Sequence, residues 1–112
     1  MRLHSGLSAD RWQSKTLCEQ LGNVGSEVAR ALRAKEQGNA ERMDGALDRA
    51  LELLDMTLAD PRNVGRLREI CRAREVFLDY LVGSNEYGSS AAYLDAYFLQ
   101  FGIAARLRGR MP

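Results

Sequence analysis

Ala91-Ala92-Tyr93-Leu94-Asp95-Ala96-Tyr97-Phe98-Leu99-Gln100-Phe101-Gly102-Ile103-Ala104-Ala105-Arg106-Leu107 reads as a helix without a proper polar side. Helical spacing puts Leu94, Tyr97, Phe98, Phe101 and Ala105 on one face. Ala92, Ala96, Leu99, Ile103 and Leu107 form a second stripe on roughly the opposite face. A single-layer bundle can bury only the first stripe. The second calls for a partner, most simply another copy of the same chain.

The rest of the chain supplies the helices that the inner stripe needs. Its 112 residues are 46% hydrophobic and 28% charged, enough for one domain with a real core and no more. Only Pro61 and Pro112 are prolines, and strand-like alternation is absent, so the expected class is all-α. Helical periodicity predicts four helices, at about 8–36, 40–59, 61–82 and 90–107. Their short links predict an up-down-up-down antiparallel four-helix bundle spanning residues 1–112.

In the first helix Leu17, Leu21, Val24, Val28 and Ala31 alternate steps of four and three, a seam suited to nearly aligned packing. Gly22, Gly25 and Ala29 form a small-residue strip on its flank, where a neighbouring backbone can approach closely. The seam crosses Gly22-Asn23 without interruption, so one unbroken helix is expected. Gly38 ends it and Asn39 caps the second helix. Asp60 caps the third, with Pro61 at its first position. Its inward residues are expected to be Val64, Leu67, Ile70, Cys71, Phe77, Leu78 and Leu81. Ser89 or Ser90 caps the fourth, and Tyr87 is expected to anchor the preceding loop.

Few residues suggest chemistry. Cys18 and Cys71 have no CxxC spacing and are read as small core residues. The sole histidine, His4, lies near the N-terminus, so no histidine-based metal cluster, general base or catalytic triad is expected in the core. No cofactor is expected. Arg74 falls within the apolar arc of the third helix and needs a carboxylate. Counting along an antiparallel bundle places Glu27 at its level, which predicts a structural Glu27–Arg74 pair, with Tyr97 adding a hydroxyl. Val76 and Tyr80 lie off the main arc and extend the expected oligomer surface.

Net charge is +1, but its distribution is uneven. Arg2, Arg11, Lys15, Arg62, Arg66, Arg68, Arg106, Arg108 and Arg110 gather at one pole of such a bundle. Glu36, Glu41, Asp44, Asp79, Glu86 and Asp95 gather at the other. In an assembly with aligned poles, the basic ends would merge into a surface able to contact RNA or DNA phosphates. No aromatic residues interleave with them, which argues against a single-strand stacking platform.

The runs Gln20-Leu21-Gly22-Asn23-Val24-Gly25-Ser26-Glu27-Val28-Ala29-Arg30 and Ala46-Leu47-Asp48-Arg49-Ala50-Leu51-Glu52-Leu53-Leu54-Asp55 carry a resemblance. They resemble segments of the small bacterial four-helix-bundle proteins encoded by insertions in large-subunit ribosomal RNA genes. Relatives of that family include the accessory variability determinants of diversity-generating retroelements. The resemblance implies a ring-like homo-oligomer, often pentameric. For the retroelement members it also implies a basic surface that binds nucleic acid and a reverse transcriptase. Helical nucleases with an arginine–histidine motif late in the bundle are not matched, because Arg68, Arg72 and Arg74 have no histidine near them.

The leading expectation is a non-enzymatic interaction or scaffold protein that associates with itself, or with another protein. An accessory nucleic-acid-binding protein is the first alternative, and a small ligand carrier or enzyme built on Glu27 and Arg74 the second. The start of the chain lacks an apolar signal core and no apolar run reaches membrane-spanning length, so the cytoplasm is the expected location and a membrane is not an expected partner.

Overall fold

A computed structural model describes residues 9–109, and all regular secondary structure among them is helical. Five α-helices follow in order: α1 (Ala9–Gln13), α2 (Leu17–Glu36), α3 (Ala40–Leu58), α4 (Leu67–Val82) and α5 (Ala91–Gly109). A 3-10 segment, Pro61–Arg66, precedes α4. The expected single first helix is therefore two. Its break falls at Ser14–Thr16 rather than at the glycines, because Thr16 starts a new helix with a complete capping box. The Glu19 backbone N–H donates to Thr16 Oγ1 (3.1 Å), and the Thr16 N–H donates to Glu19 Oε1 (2.8 Å).

The α2–α3 connection combines two caps in two residues. Gly38 has φ +69°, the left-handed conformation that closes a Schellman turn. Its N–H donates to the Lys35 carbonyl (3.1 Å), and the Asn39 N–H donates to the Ala34 carbonyl (2.9 Å). Asn39 Oδ1 in turn accepts the Arg42 N–H (3.1 Å) and starts α3. This tight turn folds α3 back along α2.

The α2 strip does bring a neighbour close, and that neighbour is α5. A Cβ on Gly22 would lie 2.9 Å from the Gly102 Cα, and one on Gly25 would lie 2.7 Å from the Phe98 Cβ. Each glycine costs about 1 kcal/mol of helix propensity. That cost permits near backbone contact between the two helices. Gly45 of α3 is different, since a Cβ there meets only Arg49 Nη1 at an ordinary 3.5 Å. Gly45→Ala is therefore expected to stabilise the fold by about 0.5–1 kcal/mol, read as a higher urea midpoint.

The core joins Leu21, Val24, Val28, Ala31 and Leu32 of α2 to Ala46, Ala50, Leu53 and Leu54 of α3. Ile70, Phe77 and Leu81 of α4, with Leu94 and Phe98 of α5, close it. Three residues expected inside behave differently. Val64 is 72% exposed, because the 3-10 segment turns three residues per turn and aims Asn63 inward instead. Cys71 is exposed and Cys18 half-buried, both as free thiols. The buried face of α4 is the narrow line Ile70, Phe77 and Leu81, which leaves Cys71 outside it.

Candidate functional site

Ser90 starts α5: its hydroxyl accepts the Tyr93 N–H (3.1 Å). The loop before it is held by Asp79, whose carboxylate accepts the N–H groups of Glu86 and Tyr87, each at 3.0 Å. The Tyr87 hydroxyl donates to Glu75 (3.1 Å) and the Arg72 guanidinium lies over its ring, so Tyr87 does anchor this loop. Thus positioned, α5 buries Leu94 and Phe98 and half-buries Tyr97 and Phe101. The Tyr97 ring packs edge-on against both phenylalanines.

The opposite stripe faces outward. Leu99 is 50% exposed, Ile103 42% and Leu107 57%, and Ala92 and Ala96 are exposed in the turns before them. Tyr93, which the stripe did not include, stands beside it at 61% exposure. Together these residues form an apolar strip along the outside of one helix. Val76 borders a shallow cleft of about 160 Å³ with Ala73, Tyr93, Leu94 and Tyr97. Tyr80 is half-buried against the core, and the Lys35 ammonium lies 5.7 Å from its ring centre while donating to the Leu81 carbonyl (3.0 Å).

Two of the arginines predicted for a basic pole, Arg62 and Arg66, are held by carboxylates. Arg62 donates to both oxygens of Asp60 and to the Lys15 carbonyl (2.6 Å). Arg66 pairs with Glu69 (2.7 Å), which also accepts the Tyr97 hydroxyl (3.0 Å). Arg66 holds the Glu69 carboxyl below its usual range, while burial and the Glu69 charge push the Tyr97 phenol up. Arg68, Arg106 and Arg108 are exposed, as is Arg11, and Lys15 is half-buried. Arg2 and Arg110 lie outside the described residues, as does His4.

Beneath Arg62 sits a buried polar cluster that sequence reasoning missed. Gln20 Nε2 donates to the Trp12 carbonyl (3.0 Å) and to Asp60 Oδ2 (2.9 Å). Asn63 Nδ2 donates to Gln20 Oε1 (3.0 Å) and to the Thr57 carbonyl (2.9 Å). Trp12 Nε1 donates to Thr57 Oγ1 (3.1 Å), whose hydroxyl donates to the Leu53 carbonyl (2.8 Å). The Arg62 guanidinium, with a further bond from Gln20, holds the Asp60 carboxyl far below the usual carboxylate range. Every side chain in this cluster has partners, so it ties α1, α2, α3 and the 3-10 segment together rather than offering groups to a ligand. The Asp60-Pro61 cap and the Thr16-x-x-Glu19 box were the visible signals; nothing local marks Gln20 as buried.

The expected Glu27–Arg74 pair does not form. Glu27 is buried and accepts from Arg49 Nε (2.6 Å) and from Arg30 Nη1. Arg74 Nε instead lies 3.3 Å from Asp55 Oδ1, an ion-pair distance without hydrogen-bond alignment. The cause is register. Glu27 and Arg49 stand equally far along the chain from Gly38, so the α2–α3 turn sets them opposite each other. Arg74 is on α4, which packs against α3, and meets the carboxylate that α3 presents. Tyr97 reaches Glu69 and joins neither pair.

Between α2 and α3, next to Glu27, lies a groove of about 650 Å³ lined by Arg30, Arg33, Arg42 and Arg49, with Gln37, Asn39, Glu41 and Gly45. The charge reading had assigned this end to the acidic residues. Among the described residues no three histidine, cysteine or carboxylate side chains come together to hold a metal ion. No described helix is long and apolar enough to cross a membrane. Comparison with protein-family models, with curated proteins and with solved structures finds no match to this chain.

Proposed function

We propose that this chain is a non-enzymatic interaction or scaffold protein that associates with itself through the outer face of α5. In this reading α2, α3, α4 and α5 form an up-down-up-down bundle. The antiparallel α2–α3 turn supports that arrangement, as do the Gly22–Gly102 and Gly25–Phe98 approaches, whose numbers run in opposite directions. The observation carrying the functional reading is the exposed line Leu99, Ile103 and Leu107 on a helix whose other face is already committed to the core. Completing the burial of each is worth about 1 kcal/mol per chain. In a symmetric assembly that gain repeats in every subunit.

Light scattering and native mass spectrometry test it. The wild-type chain is expected to be an oligomer, and Leu99→Glu with Ile103→Glu is expected to be a monomer with the same helical circular dichroism. A wild-type chain that stays monomeric at high concentration overturns the proposal.

A second reading is that the protein binds RNA or DNA through its basic end, as the family resemblance would imply. Arg68, Arg106 and Arg108 support it, being exposed and without an acidic partner among the described residues. Arg62 and Arg66 contribute less, since Asp60 and Glu69 already neutralise them. A gel shift with structured RNA that is strong at low salt and lost at high salt would carry this reading. No shift at low salt removes it.

A further inference from the structure

The groove between the last turns of α2 and the first turns of α3 is built for charge. Arg30 and Arg33 come from α2, Arg42 and Arg49 from α3, and the open volume is about 650 Å³. Buried Glu27 grips Arg30 and Arg49 from one side, so those two guanidinium groups are held in place rather than swinging freely. Arg33 and Arg42 have no ion-pair partner among the described residues. Within the groove four guanidinium groups thus meet two carboxylates, Glu27 below and Glu41 on the wall, while Glu36 and Asp95 lie in the neighbouring cleft that Arg33 also borders. The surplus positive charge is joined by the positive end of α3.

The shape narrows the class of ligand. No aromatic side chain lines the groove, so it offers donors and charge but no stacking surface for a base. Its size is that of a small-molecule site. It also does not lead into a basic track. Arg106 and Arg108 lie on α5 beyond Gly102, which faces Gly22, and so stand about 20 Å along α2 from Arg33 at 1.5 Å per residue. Gly45, in the second turn of α3, leaves the groove wall bare where any other residue would project a side chain.

We propose that this groove binds a compact anion carrying two or more clustered phosphates, clamped by Arg33 and Arg42 and oriented by the Glu27-held Arg30 and Arg49. Arg33 also borders a cleft with Ala92 and Asp95, so the site adjoins the first turn of α5 but not Leu99, Ile103 or Leu107, and one chain contains all of it.

Isothermal titration of the full chain with inorganic tripolyphosphate, at low and at moderate salt, tests the proposal, with sulfate as the singly clustered control. Tripolyphosphate is expected to bind with one site per chain and at least tenfold more tightly than sulfate. Arg33→Gln with Arg42→Gln is expected to weaken it tenfold or more, with an unchanged melting profile. Gly45→Leu keeps every charge but fills the groove, and it too is expected to weaken binding tenfold. Arg68→Gln with Arg106→Gln, at the far end, is expected to leave it unchanged. The Leu99→Glu and Ile103→Glu chain is expected to bind normally, which separates this site from the assembly reading. Absence of binding at low salt overturns the proposal. So does equal weakening by the far-end pair, which would mean diffuse charge. Arg33- and Arg42-dependent binding of RNA without binding of tripolyphosphate also overturns it.

Discussion

Asp60→Ala is expected to lower the unfolding free energy by about 3 kcal/mol, seen as a reduced urea midpoint with an unchanged slope. The carboxylate accepts from Gln20, from the Arg62 backbone N–H (3.0 Å) and from the Arg62 guanidinium, all from a fully buried position. Without it, one Gln20 donor is stranded in the interior, which costs about 1–3 kcal/mol. The start of the 3-10 segment also loses its cap, worth about 1 kcal/mol. Arg62 loses less, since it is half-exposed and keeps the Lys15 carbonyl. A loss below about 1 kcal/mol would mean the cluster is not the clasp described above.

The same residue sets the response to acid. Its folded pKa is depressed, so its contribution is complete above the unfolded value, near 4, and is lost as pH falls below it toward the lower folded value. Stability of the wild-type chain should therefore decline steadily below about pH 4. Glu69, also depressed through Arg66, adds to the decline over the same range. Asp60→Asn should start less stable at neutral pH and lose less on acidification. Urea melts at pH 7, 4 and 3 compare the two slopes directly.

Gly22→Val with Gly25→Val is expected to cost about 4 kcal/mol, although local propensity alone predicts a small gain. At Gly22 the new Cβ meets the Gly102 backbone at 2.9 Å, where no rotamer change can relieve it. At Gly25 it meets the Phe98 Cβ, fixed by its own helix. The γ-methyls need still more room, so α5 must move off α2 and lift Leu94 and Phe98 out of the core. Loss of that packing would also displace the outer strip that the assembly reading depends on. Chemical denaturation gives the sign: a chain as stable as wild type would show that the two helices are not in near backbone contact. Gly45→Ala is the contrast, a helix glycine with ordinary space around it.

Much of the framework can be read residue by residue. The 3.6-residue repeat of α5 and its two apolar faces are local properties, as are the Gly38 stop, the Asn39 and Asp60 caps and the small strip on α2. The break at Ser14–Thr16 was also written locally, in Thr16 and Glu19, but the apolar seam that runs on into α2 obscured it. Val64 was misplaced because the repeat assumed for it was that of an α-helix, whereas Pro61–Arg66 winds more tightly.

What the amino-acid order determined alone is therefore which segments coil, where they stop and which face of each is apolar. Those features rest on contacts within a few residues. Which charges meet across helices was decided only by tertiary structure, whereas Arg30–Glu27 and Arg66–Glu69 are pairs three residues apart in the chain. Glu27 takes Arg49, Arg74 takes Asp55, and Gln20 goes inside because turn geometry and helix separation fix how the helices are rotated against one another. The arginine groove arises the same way, from two helices whose basic residues stand apart in sequence and face each other across one tight turn.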